Sequence, residues 1–179
     1  MSPRVSSVAA RLLSDTYLQA QPGTYILVLA ARTHTVVRIG RFGVLDVQPG
    51  WYFYVGSARG PGGVRARVAH HQVPTLRPHW HMDYLRTVTR LEAVWYIYDS
   101  VHWEHVWAEV LGQWPGVSVP LPGFGASDCA CPSHLYFAPR RLAGRAIRHE
   151  LQHAMPSYIG ETAARSGCSR AHATRPQKG

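Results

Sequence analysis

Five side chains able to work on a phosphodiester stand in order along the chain. They are Tyr25 in Gly23-Thr24-Tyr25, Tyr54 in Tyr54-Val55-Gly56, Arg67 with His71, and Glu104. Cutting such a bond requires a nucleophilic water, neutralisation of charge on the phosphate, and help for the leaving oxygen. A hydroxyl, a guanidinium and a metal-binding carboxylate supply these. Arg67 and His71 are four residues apart, so on a helix they share one face. The two tyrosines sit in runs of β-formers and reach one cleft if strand register permits. Glu104 falls early in a helix-prone segment. Glu109 is the fallback metal ligand, but a five-residue step turns its side chain well away on a helix, and Glu104 is preferred. A free phenol titrates near about 10, so a tyrosine acting as base near neutrality needs help from a metal or from Arg67. Taken singly, each tyrosine reads as an ordinary half-buried strand residue. The full set argues for chemistry.

The surrounding pattern supplies elements to hold these groups. Strands are predicted at 25–29, 36–39, 44–47, 51–55, 91–98 and 135–137, where β-branched and aromatic residues cluster between turn signals. After Gly60-Pro61-Gly62-Gly63, which lets a helix begin close to a sheet, residues 64–71 read as a helix. Residues 81–85 read as a turn or two of helix, and 102–111 as a helix stopped by Gly112 and Pro115. Val5, Val8, Ala9, Leu12 and Leu13 follow a helical stripe, so residues 3–13 are predicted to form an amphipathic helix. Near the C-terminus, Arg141, Arg145, Arg148 and His149 fall on one helical face and Ala143, Ile147, Leu151 and Ala154 on the other. The Gly-, Ser- and Arg-rich stretch after Pro156 reads as a loose tail.

Composition narrows the partners. The 179 residues carry 19 Lys and Arg against 10 Asp and Glu, a formal net charge of +9, and 46% are hydrophobic. The chain can therefore bury a core, and its charge favours a polyanion: nucleic acid first, an anionic membrane surface second. No apolar run is long enough to span a bilayer. Three cysteines make a poor disulfide framework and fit a reducing cytoplasm; residues 1–13, basic and Ser-rich, also fit a mitochondrial-type presequence.

Read as strings, the chain resembles the GIY-YIG nuclease superfamily, and within it the Uri-type endonuclease branch. The strings are Gly23-Thr24-Tyr25, Tyr54-Val55-Gly56-Ser57-Ala58, Arg67 to His71, His79-Trp80-His81-Met82-Asp83-Tyr84-Leu85, and GFGASDCACPSHL from Gly123 to Leu135. The resemblance covers roughly residues 22–138. Thr24 and Val55 stand where the family triplets carry isoleucine, and Trp107 stands where an ExxLA-like pattern around Glu104 has leucine. It implies an α+β fold: a small antiparallel sheet with strands near 25, 52 and 95, flanked by helices, with an inserted β-hairpin over 32–48. It divides the chain into an N-terminal helix and linker (1–21), a nuclease domain (22–138), and a basic helix with a loose tail (139–179). The implied activity is endonucleolytic hydrolysis with one Mg²⁺ or Mn²⁺ held by Glu104, on nucleic acid, DNA before RNA. Tyr25 is implied to activate water, Tyr54 to orient the phosphate, and Arg67 to neutralise it. His71 is either catalytic or a cap for its helix. Gly56, Ser57, His81, Asp128 and His134 are candidates for contact with substrate. The arginine-rich C-terminal segment suits backbone phosphate contact without base reading.

Two other readings compete. One is a basic nucleic-acid-binding module with the same fold and no activity; a carboxylate among the Tyr and Arg residues argues against it. The other is a zinc-stabilised interaction domain built on Cys129, Cys131 and His134 with His79 and His81. That spacing is not a standard zinc pattern, so the expectation is a polar segment beside the active site and no stoichiometric zinc. Cys168 has no assigned role.

Overall fold

A computed structural model of the chain describes the backbone of residues 9–12 and 18–165 and the side chains of 18–155. Five antiparallel strands form the central sheet: β1 (Ala9–Leu12), β2 (Gly23–Ala31), β5 (Gly50–Ala58), β6 (Arg90–Tyr98) and β7 (Leu135–Ala138), in the order β1-β6-β2-β5-β7. Between β2 and β5 the chain makes a hairpin from β3 (Thr35–Ile39) and β4 (Gly43–Val47), which pair only with each other. Among the described residues four helices complete the fold: α1 (Gly63–Gln72), α2 (His81–Arg86), α3 (Glu104–Gln113) and α4 (Gly144–Arg165). This is the α+β architecture with an inserted hairpin expected from sequence.

The strands are buried on both faces, which explains why β2 is almost continuously apolar rather than alternating. Ile26, Val28, Phe53, Val55, Trp95 and Ile97 face α3 and α4. Leu27, Leu29, Tyr52, Val94 and Tyr96 face the other layer, where Val64 and Val68 of α1, Met82 and Leu85 of α2, and Ile39, Leu45 and Val47 of the hairpin cover them. Tyr25 lies on this second face, at the end of the strand where the cover opens into a cleft.

Two boundary expectations are corrected. Residues 9–12 form a strand, not part of a helix, and pair with β6 from Ala9 opposite Tyr96 to Leu12 opposite Ala93. Without them β6 would present unpaired backbone groups along the sheet edge, and satisfying these outweighs a helical stripe. The remainder of the expected N-terminal helix lies outside the described residues, as does Cys168. At the other end, α4 is part of the core: Ile147, Leu151 and Met155 are buried against the α3 face. The core therefore does not end at residue 138. Nor does the helix end at Pro156; it continues to Arg165. The arginines of this segment are also less free than its helical wheel implies. Arg141 precedes the helix and stacks over Trp51 at 5.0 Å, and Arg148 lies over Trp95 at 6.0 Å. Among the described residues no helix is long and apolar enough to cross a membrane.

Candidate active site

The cleft begins with strand register. In the antiparallel β2–β5 pair, Tyr25 stands opposite Gly56 and Tyr54 opposite Leu27, so both tyrosines project from the same face, diagonally adjacent. Gly56 makes room for them. A Cβ at that position would lie 2.6 Å from both Cζ and Oη of Tyr25. A second glycine, Gly125, sits in the loop that crosses Tyr54. Its φ of +72 is a left-handed conformation, and a Cβ there would come within 2.8 Å of the Tyr54 ring.

The cationic side of the cleft comes from α1. Val64 and Val68 bury one face of this helix, which turns Arg67 and His71 toward the tyrosines. The first turn of α1 is occupied by the chain itself: Val64 and Arg65 donate backbone N–H groups to the carbonyls of Gln21 and Gln19. At its other end, buried Arg86 donates to the carbonyls of His71 and Gln72, at 2.8 and 3.2 Å, and to that of Thr89. Asp83 organises the next segment. Its Oδ2 accepts from the backbone N–H of His79 and of Trp80, both at 2.9 Å, and its Oδ1 lies 2.8 Å from His70 Nε2. This holds Trp80 where its ring stacks on the Arg67 guanidinium at 4.6 Å.

The acidic side comes from α3. Trp103 donates its backbone N–H to the Thr24 hydroxyl at 3.2 Å, which ties the start of α3 to β2. Thr24, an ordinary strand residue in sequence, thus helps aim the next side chain, Glu104, into the cleft. Glu109 is exposed and bonded to Gln113 at 3.2 Å, on the opposite side of α3. The preference for Glu104 over Glu109 agrees with this placement.

Tyr25, Tyr54, Arg67, His71 and Glu104 therefore border one cleft of roughly 280 Å³, together with Gly56, Ser57, His81 and Asp128. His134 does not. It is buried behind Glu104, with Nδ1 3.0 Å from Glu104 Oε1 and Nε2 3.3 Å from Cys129 Sγ. The Glu104 contact is at ion-pair distance, but the oxygen lies off the line of a well-directed hydrogen bond. The expectation that His134 contacts substrate is corrected: it sits behind the carboxylate because residue 134 enters the buried strand β7, its own N–H donated to the Phe124 carbonyl at 2.8 Å.

Protonation states follow from burial. Burial, with Tyr54 and Glu104 nearby, raises the Tyr25 phenol well above its ordinary 10.0; Arg67 opposes this only in part. Tyr54 is raised by burial and by Glu104, with Asp128 and Asp83 adding and Arg67 opposing. Both are therefore neutral hydroxyls near pH 7. Burial, reinforced by His70, lowers His71 to about 4, so its imidazole is neutral, with Nε2 3.4 Å from the Tyr25 hydroxyl. A neutral ring cannot act as a cationic cap for α1, which removes one of its two sequence-based roles. Burial alone would raise Glu104, but His134 beside it, with the Ser57 hydroxyl, brings it below the ordinary carboxyl value. Glu104 is thus ionised.

Sequence reasoning left two residues without their structural partners. Trp80 has no role of its own in the motif His79 to Leu85, yet it is the platform for Arg67. His105 joins Cys129, Cys131 and His134, and one donor atom from each lies within 4.8 Å of the others. His79 and His81, grouped with those cysteines by sequence, border the cleft instead. His81 is held between Phe42 and Phe124 at 4.3 and 5.3 Å and accepts the Gly125 N–H at Nδ1, 3.2 Å away.

A family model described as "Domain of unknown function DUF123" matches residues 24–160, a span that takes in every cleft residue and most of α4. No curated protein and no solved structure matches the chain.

Proposed function

The chain belongs to the DUF123 family, and we propose that its cleft is the active site of a GIY-YIG-type endonuclease that hydrolyses phosphodiester bonds in nucleic acid, DNA before RNA. The observation that carries this reading is the convergence of Tyr25, Tyr54, Arg67 and an ionised Glu104 on one open, mostly polar cleft. Phosphate binding alone calls for cations and hydroxyls; an ionised carboxylate facing the same space repels phosphate unless a cation lies between them. The net charge of +9 supports a polyanionic substrate.

The side chains fit a hard divalent ion. Glu104 is the ionised carboxylate, Asp128 borders the same cleft, and an ion such as Mg²⁺ or Mn²⁺ binds through one or two carboxylates while keeping several waters. Held at Glu104, it would supply positive charge at the scissile phosphate and acidify a neighbouring water.

The protein's own residues divide the remaining work. Arg67 presents a planar fork to two phosphate oxygens, and its stacking on Trp80 orders that fork before substrate arrives. Tyr54 donates its hydroxyl to the phosphate. Tyr25 is too weak an acid to serve as a phenolate in the resting site. Its hydroxyl instead takes the proton of the attacking water while passing its own to neutral His71 Nε2. The water oxygen forms the new bond to phosphorus, the bond to the leaving oxygen breaks, and that oxygen takes a proton from solvent in the open cleft.

The test is a panel of labelled single-stranded, duplex, nicked and branched oligonucleotides incubated with Mg²⁺ or Mn²⁺. Cleavage that EDTA abolishes is expected. Tight binding to the panel with no cleavage under either metal would make the protein a binding module with this fold.

A further inference from the structure

A second cluster of reactive side chains lies behind the cleft and touches no reacting group in the proposed cleavage. His105, the residue after Glu104 in the first turn of α3, brings Nδ1 to 3.1 Å from Cys131 Sγ. His134 Nε2 lies 3.3 Å from Cys129 Sγ. Both cysteines are free thiols. We propose that Cys129, Cys131, His105 and His134 form a tetrahedral Cys₂His₂ zinc site.

The geometry matches in ligand type, number and scale. With Zn–S near about 2.3 Å and Zn–N near about 2.05 Å, an ideal tetrahedron has edges of about 3.3–3.8 Å. The four donor atoms lie within 4.8 Å of one another, and the two N–S pairs fall at 3.1 and 3.3 Å. The 4.8 Å bound exceeds those edges by about 1–1.5 Å, so side-chain rotations that close gaps of up to that size would centre an ion. Soft thiolates with imidazoles select zinc over the hard ion proposed for the cleft.

Two further observations favour an ion over a chance grouping. The supporting loop is tightly fixed. Gly123 donates to the Pro132 carbonyl at 2.7 Å and His134 to that of Phe124 at 2.8 Å, and the Ser133 hydroxyl accepts the Leu135 N–H at 3.0 Å. This loop presents both sulfurs toward α3 without help from a regular strand. The second is the far side of His134. Its ring is buried, its Nε2 faces the cysteines, and its Nδ1 faces the Glu104 carboxylate. A carboxylate behind the ring of a ligating histidine is the usual outer-shell arrangement at zinc; here Nδ1 and the Glu104 oxygen are 3.0 Å apart but not aligned as the hydrogen bond that would fix the tautomer. Zinc here would clamp α3 to the loop before β7, and through His134 it would hold Glu104 in place. The other close grouping, His70, His71 and Asp83, does not share this design, because Asp83 is committed to backbone N–H groups and His70.

The site stands or falls independently of nuclease activity. The full-length, reduced protein should contain about one zinc per chain by elemental analysis, and metal-free protein should take up Zn²⁺ in that ratio against a chromophoric chelator. Co²⁺ in its place should give the visible bands of a tetrahedral ion and an ultraviolet thiolate charge-transfer band. Bound Zn²⁺ should protect Cys129 and Cys131 from alkylation, mapped by peptide mass spectrometry. His105→Asn should lower Zn²⁺ affinity at least about tenfold while leaving charge transfer from both thiolates. Failure of the wild-type protein to bind Zn²⁺, or equal alkylation of both cysteines with and without Zn²⁺, would overturn the proposal whether or not Cys→Ser variants fold.

Discussion

Gly56→Ala tests whether cleavage depends on the placement of Tyr25. The glycine lies in mid-strand with no positive φ, so alanine is compatible with its backbone. The obstacle is the ring opposite. The new Cβ would meet Cζ and Oη of Tyr25 at 2.6 Å, about 1 Å inside normal carbon contact. Tyr25 is buried against strand β6, so the strain is relieved by displacing its hydroxyl by a comparable amount, which disturbs its 3.4 Å contact with His71 Nε2. A misplacement of about 1 Å costs roughly 100-fold in rate, whereas the packing strain costs about 1–3 kcal/mol of stability. Single-turnover cleavage at saturating oligonucleotide should therefore fall about 100-fold, with binding nearly unchanged and a cooperative unfolding transition retained. A folded variant that cleaves within about threefold of wild type would refute the link between Tyr25 position and chemistry.

Other outcomes follow from the same geometry. Arg67→Ala should lower the single-turnover rate by about 10²–10³ and weaken binding far less, and Arg67→Lys should rescue poorly because an ammonium lacks the planar fork; matched losses in rate and affinity would make Arg67 a positioning contact only. Folding stability should fall as pH drops from 6.5 toward 4, because the unfolded chain protonates His71 in that window while burial keeps the native ring neutral. The contribution is on the order of 3 kcal/mol, and denaturant titrations at several pH values should show it shrink in His71→Gln. A chain cut after Pro139 loses Ile147, Leu151 and Met155 from the core, together roughly 5–9 kcal/mol, which rivals the stability of a whole domain. It should not fold, and Leu151→Ala should cost about 2–5 kcal/mol; a truncated protein with a native circular dichroism spectrum and cooperative melting would contradict this.

The strands were legible because β-branched and aromatic runs lie between glycine and proline turns, and β2, β5 and β6 are where those runs predict them. That Arg67 and His71 share one face of their helix, and that Glu109 turns away from Glu104, needed only helix geometry. What failed was decided by partners distant in sequence. Residues 9–12 carry a helical stripe, but the open edge of β6 recruits them as a strand. The apolar face of α4 was visible as Ile147 and Leu151, yet nothing local says that Trp95 and α3 lie beneath it. His134 reads like a cleft residue until β7 buries it. His105 shares no motif with Cys131, 26 residues later, and only the packing of α3 on the loop before β7 joins them. Burial also bears on the chemistry: a tyrosine base needs help from a metal or Arg67, and the sheet raises Tyr25 further than Arg67 alone offsets, beside a His71 that burial keeps neutral.

The central claim is that an ionised Glu104 serves the hydrolysis of a phosphodiester bond. Its most direct test compares wild type with Glu104→Gln in single-turnover cleavage under Mg²⁺ or Mn²⁺, on the oligonucleotide that wild type cuts best. Removing the charge while keeping the shape should abolish product formation but leave folding and most oligonucleotide binding intact, matching wild type in EDTA. Robust metal-dependent cleavage by Glu104→Gln would contradict the account.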